Sequence, residues 1–93
     1  MIKGKTKSGI EFELDERIKD DARLMHLLVR MQKAKEPVDT AEAMNNLLAL
    51  IFGSDEGTFA FMNEVAVKHD GVCSAENMLV ELTEMLEALN AKN

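Results

Sequence analysis

Three groups of residues have the types and spacing from which chemistry is made. Gly4-Lys5-Thr6 reproduces the end of a phosphate-binding loop. His69 and Cys73 stand four apart and, with His26, are the chain's only imidazole and thiol side chains. Glu81, Glu84 and Glu87 repeat at intervals of three. Each group has a chemical reading and a plainer one.

The phosphate loop fails on its surroundings. The pattern G-x-x-x-x-G-K-[ST] needs a strand before it and a helix after it, so that backbone N–H groups and a helix N-terminus surround the phosphates. Only Met1, Ile2 and Lys3 precede Gly4, and the residues beyond Thr6 alternate as a strand does: Ile10, Phe12 and Leu14 are separated by Glu11 and Glu13. Ile2, Gly4 and Thr6 alternate in the same way with Lys3, Lys5 and Lys7. A three-residue loop, Lys7-Ser8-Gly9 with Gly9 left-handed, then predicts a hairpin over residues 1–14. In that register Ile2 faces Leu14, Gly4 faces Phe12 and Thr6 faces Ile10, while Lys3 faces Glu13 and Lys5 faces Glu11. A two-residue loop would pair lysine with isoleucine and mix the faces. Gly4 leaves room for the Phe12 ring.

A structural zinc site takes four ligands at recognisable spacing, and His69 and Cys73 have no second pair. Their plainer roles are a helix-end histidine for His69 and a small hydrophobe at a helix junction for Cys73, with His26 half-exposed on a helix. The hydroxyls Thr6, Ser8, Thr40, Ser54, Thr58, Ser74 and Thr83 mostly stand at turns or caps, and no nucleophile-elbow motif surrounds them. Abundant carboxylates do not by themselves define an acid/base pair. The expectation is a protein that is not an enzyme and that uses no metal or cofactor. Glu81, Glu84 and Glu87 read as the solvated outer side of the last helix, or functionally as an acidic ridge for a basic partner.

Those residues must be positioned by one small domain. The chain has 93 residues, a formal net charge of −6, 46% hydrophobic and 30% charged residues, no Trp or Tyr, and seven Met. The acidic balance and the lack of Tyr and Trp stacking platforms argue against binding nucleic acid or an anionic membrane. No apolar run approaches the ~20 residues of a spanning helix, and the N-terminal residues do not read as a signal peptide. A single cysteine fits a cytoplasmic setting.

Behind the hairpin, four helices are expected at residues 15–35, 40–52, 55–69 and 74–90. Asp15 caps the first, which Pro37 forbids from continuing. Its stripe of Ile18, Ala22, Met25 and Val29, widened by Leu24, Leu27, Leu28 and Met31, suggests a central helix packed on two sides. Asp39 with Glu42 reads as a capping box for the second helix, Met44, Leu47, Leu48 and Ile51 as its inward stripe, and Gly53 as its stop. Ser54 caps the third helix, along which Phe59, Met62, Val65 and Ala66 fall at helical spacing before Gly71 ends it. Ser74 caps the fourth, with the stripe Ala75, Met78, Leu82, Met85 and Leu89. The fold class is α+β, an N-terminal β-hairpin packed on a small bundle of about four α-helices.

Every helix carries methionine, an adaptable core filler that also suits a surface accepting varied apolar segments. Two faces are candidates for binding a protein partner: Met78, Leu82, Met85 and Leu89 on the last helix, and Leu24, Leu28 and Met31 on the first.

The order of features resembles the small tail assembly chaperones of long-tailed bacteriophages and prophages of Gram-positive hosts. Its marks span nearly the whole chain. They are the hairpin ending in Phe12-Glu13-Leu14-Asp15-Glu16-Arg17-Ile18, then Asp20-Asp21-Ala22-Arg23-Leu24-Met25, the Gly53 stop, and Asp70-Gly71-Val72 before the final helix. Ala22 stands where many relatives carry tryptophan, which implies different packing there. The resemblance implies a non-enzymatic protein of the bacterial host cytoplasm, absent from the mature virion. It implies that the protein associates with itself and with the tape-measure protein, whose apolar helices it keeps soluble while tail-tube subunits polymerise. It also implies a frameshifted longer form that meets the tail-tube protein. Ala91-Lys92-Asn93 is compatible with codons containing the slippery heptamer A-AAA-AAC. The competing expectation is a small acidic phage regulator, or DNA mimic, that binds a basic host protein.

Overall fold

Alternation over two short stretches produces the hairpin. β1 (Ile2–Lys5) and β2 (Glu11–Leu14) pair antiparallel with Ile2 opposite Leu14, Lys3 opposite Glu13, Gly4 opposite Phe12 and Lys5 opposite Glu11. The structure is a computed structural model that describes residues 1–91. Thr6 N–H donates to Ile10 O at 2.9 Å, Gly9 N–H donates to Thr6 O at 2.9 Å, and Gly9 has φ +101°. A Cβ on Gly4 would lie 2.6 Å from Cζ of Phe12, so the missing side chain makes space for that ring. The face bearing Ile2, Thr6, Ile10 and Leu14 is buried, and the lysines and glutamates face out.

The chain then turns twice on the same device. Asp15 accepts the N–H of Arg17 at 3.0 Å and caps a single 3-10 stretch, Glu16–Asp20. Asp21 accepts the N–H of Arg23 at 2.9 Å and caps α1 (Ala22–Lys33). The expected helix of residues 15–35 is therefore split, because the second Asp-x-Arg sequence supplies its own N-cap. The split also rotates the apolar stripe. Leu24 and Leu27 point inward, whereas Met25 is 67% exposed and Val29 is exposed. α1 is thus a peripheral helix packed on one side, not a central one.

α2 (Pro37–Phe52) begins a turn earlier than the Asp39–Glu42 box implied. Pro37 occupies its first position, where a missing N–H and a fixed φ cost nothing. Gly53, at φ +75°, ends it as expected. Ser54 Oγ accepts Gly57 N–H at 3.0 Å and starts α3 (Asp55–Lys68). The inward residues of α3 are Thr58, Phe61 and Val65. Phe59, which shares a helical spacing with Met62 and Val65, is nevertheless 65% exposed, and it is Phe61 that packs on Phe52 with ring centroids 5.0 Å apart. Ser74 Oγ accepts Asn77 N–H at 3.0 Å at the start of α4 (Ala75–Ala91).

One core collects Ile2, Ile10 and Leu14 from the hairpin with Leu47, Leu48, Val65, Met78, Leu82, Met85 and Leu89 from the helices. The molecule is an α+β fold with a two-stranded hairpin on a small helical bundle. Lys92 and Asn93, which carry the frameshift expectation, lie outside the described residues.

Candidate protein-binding surface

The residues with chemical potential meet where the hairpin turn lies on α4. Ser8 Oγ donates to Glu81 Oε1 at 2.8 Å, and His69 Nε2 lies 3.0 Å from Glu81 Oε2. Thr6 Oγ1 lies 3.1 Å from Ser8 Oγ and accepts Ile10 N–H at 3.2 Å. One turn further along α4, Glu84 Oε1 accepts the N–H of Lys7 at 2.7 Å. Two glutamates of one helix therefore hold the hairpin turn at Lys7 and Ser8, with Thr6 bonded to Ser8 behind them.

Glu81 is only 1% exposed. Burial pushes its carboxyl pKa up. Hydrogen bonding within the Thr6, His69 and Ser8 cluster, with the charge of His69, outweighs that and holds it below the usual glutamate range. The order of contacts matters for chemistry. The serine proton goes to the carboxylate and not to the imidazole, so the histidine does not activate Ser8 as a base would in a nucleophilic triad. The arrangement does what a closed polar network does: it satisfies every member and fixes the hairpin to the α3–α4 corner. No buried side-chain nitrogen or oxygen lacks a partner among the described residues.

This geometry corrects the acidic ridge. Glu81 is interior, Glu84 is half-buried against Lys7, and only Glu87 is exposed. Glu81 stands three residues after Met78 and four before Met85, which are stripe positions of the helix. That spacing is the signal that could have placed it inward.

The two apolar faces nominated from sequence are corrected as well. Met78, Leu82, Met85 and Leu89 are the core face of α4, and Leu24 is buried with them. Leu28 and Met31 are half-buried against the same core. The first face faces inward because the hairpin and the other helices close over it, and the structure does not bring the two faces together on the surface. His26 is exposed on α1, and Cys73 is a half-buried free thiol whose pKa burial raises.

Of the seven nominated residues, Met78 reaches the floor of an open cleft. That cleft, of about 370 Å³, lies between the first half of α2 and the facing parts of α3 and α4. Its walls include Pro37, Ala41, Met44, Met62, Cys73 and Met78, with Thr40 and Asn45 as polar members. Three unbranched thioethers converge there, Met44 and Met78 buried at the floor and Met62 half-buried at the rim, and such side chains adapt to varied apolar shapes. Spacing within single helices cannot reveal this site, because its walls come from three of them.

Among the described residues, no three His, Cys, Asp or Glu side chains gather so as to hold a metal ion, and no helix is long and apolar enough to cross a membrane. Comparison with protein-family models, with curated proteins and with solved structures finds no match to this chain.

Proposed function

We propose that this chain is a non-enzymatic tail assembly chaperone, which binds apolar helical segments of the tape-measure protein and keeps them soluble during tail-tube assembly. The observation that carries the reading is the methionine-lined cleft, an apolar recess with half-buried Met62 at its rim and the buried side chains of Met44 and Met78 at its floor. It suits a client of varied side chains, because methionine adapts its shape while still removing apolar area from water. Support also comes from the sequence resemblance, whose Asp15–Arg17 and Asp21–Arg23 marks are the paired caps that start the 3-10 stretch and α1.

Co-expression with the tape-measure protein tests this. The expected result is more soluble tape-measure protein and a complex that co-purifies. Capture should persist as ionic strength rises, since apolar contact is not screened. Met62→Glu, at the half-buried rim of the cleft, should abolish capture while the variant remains folded by circular dichroism. Failure of the wild-type chain to solubilise or retain the client overturns the proposal. Capture of a basic protein that collapses with salt would instead favour the acidic regulator, although that reading has lost Glu81 from its ridge.

A further inference from the structure

The outer side of α3 is a second surface, distinct from the methionine cleft. Phe59 and Val67 are 65% and 77% exposed, eight residues apart, and Asn63 stands midway between them on the same line. Two turns of helix separate them by about 12 Å. Two shallow recesses run along this line and share Asn63. One, of about 530 Å³, is lined by Asp55, Glu56, Phe59 and Ala60, and the other, of about 360 Å³, by Glu11, Glu64, Val67 and Lys68 beside the hairpin turn. Meeting at Asn63, the two recesses together form a shallow groove along the outer side of α3 from Asp55 to Lys68, with Phe59, Ala60 and Val67 as its apolar members.

Its rim is charged with one sign in excess. Four carboxylates, Asp55, Glu56, Glu64 and Glu11, accompany a single cation, Lys68. Among the described residues, none of the four makes a salt bridge or side-chain hydrogen bond, whereas Asp15, Asp21 and Glu42 on other surfaces each have an arginine. An acidic segment laid here would meet like charge, and a basic one would meet complementary charge.

We propose that this groove docks an amphipathic helix of the client, with its apolar side on Phe59, Ala60 and Val67 and flanking lysines or arginines on Glu56 and Glu64. The inference rests on the chaperone reading and adds to it the chemistry of the segment bound. Apolar contact holds the helix, and charge selects which helices enter.

The test titrates the full chain, labelled for NMR, with a leucine–lysine helical peptide of about four turns. The expected result is shifts centred on Phe59, Asn63 and Val67. A scrambled peptide of the same composition should bind at least about tenfold more weakly, because anchor spacing is lost. Phe59→Ser with Val67→Ser should weaken the helical peptide about tenfold with melting unchanged, since both side chains are exposed. Glu56→Lys with Glu64→Lys should turn the preference toward a leucine–glutamate peptide. Equal binding of the scrambled peptide, or shifts centred on Met44 and Met62, would overturn the proposal. So would self-association that the charge reversal abolishes, since the occupant would then be a second copy of this chain. If the tape-measure protein is solubilised equally by wild type and by Phe59→Ser/Val67→Ser, this groove is wrong and the chaperone reading stands. If wild type solubilises nothing, that reading fails while the peptide titration still decides the groove.

Discussion

Glu81 and Glu64 are both glutamates on helices of the bundle, yet the chain surrounds them in opposite ways. Around Glu81 the hairpin turn and the α3–α4 corner close, and the carboxylate is engaged by Ser8 and His69. Glu64 is left open: its side chain lines a groove beside exposed Val67 and makes no ion pair among the described residues. The closed carboxylate is bound up in holding the fold. The open one is free to meet something else. The difference teaches that the charge of a helix face does not identify its use, and that the neighbours which cover it do.

The strongest way to break that contrast is to empty the closed site. Glu81→Ala should destabilise the protein by about 3 kcal/mol in urea unfolding, because it opens a void and leaves Ser8 and His69 without their acceptor. Glu81→Gln should cost less, since the amide keeps part of the hydrogen bonding. The same site sets an acid limit. The Glu81 pKa is depressed in the folded protein. Its contribution to stability is therefore fully present above the ordinary glutamate value of about 4.3. It is lost as pH falls through the lower folded value, when the unfolded chain gains the proton more readily. Glu81→Gln should flatten that acid-side loss. If Glu81→Ala were as stable as wild type, the junction would not be what fixes the hairpin.

How much of this could be read in advance divides along the same line. The hairpin register was legible to the residue, because side chains alternate strictly and a one-residue slip would move Ile2, Ile10 and Leu14 out of the core. The caps at Ser54 and Ser74 and the stop at Gly53 were legible for equally local reasons. The split at Asp21 was not, because Asp15 caps just as well and periodicity does not choose between them. Phe59 and Phe61 lie about 200° apart around α3, and only Phe52 across the corner decides which goes inward. Glu81 was misplaced because the hairpin that covers it is over seventy residues away in sequence. The methionine cleft needs three helices to exist at all.

A smaller effect probes how tightly the closed region is built. Gly4→Val should destabilise by about 2 kcal/mol, because its Cβ would fall 2.6 Å from Cζ of Phe12 and the ring must move. Phe12→Leu in the same chain should recover most of the loss by removing the obstructing ring. Thermal melting of the single and double variants measures this. A Gly4→Val that costs the same with either residue at position 12 would show that strand conformation, and not the ring, sets the requirement for glycine.

Asp15 sharpens the comparison most finely, because it is partly exposed, between the open carboxylates and the closed one, yet paired like the closed one. Arg17 donates to both of its oxygens through Nε and Nη2, the backbone N–H of residue 17 adds a further bond, and the carboxyl pKa falls to about 2. Side-chain hydrogen bonding from Arg17 is the largest cause and the backbone bond the next. Arg17→Ala removes the first and keeps the second. The Asp15 carboxyl should then titrate between about 2 and the ordinary aspartate value of about 3.9, followed by carbon-13 NMR. Melting at neutral pH should stay within error of wild type, since an exposed pair is screened by water and the cap itself survives. A pKa that remains near its starting value would assign the shift to the backbone cap alone. The guanidinium would then be a bystander on a partly exposed carboxylate, and pairing with a cation would not separate Asp15 from Glu64.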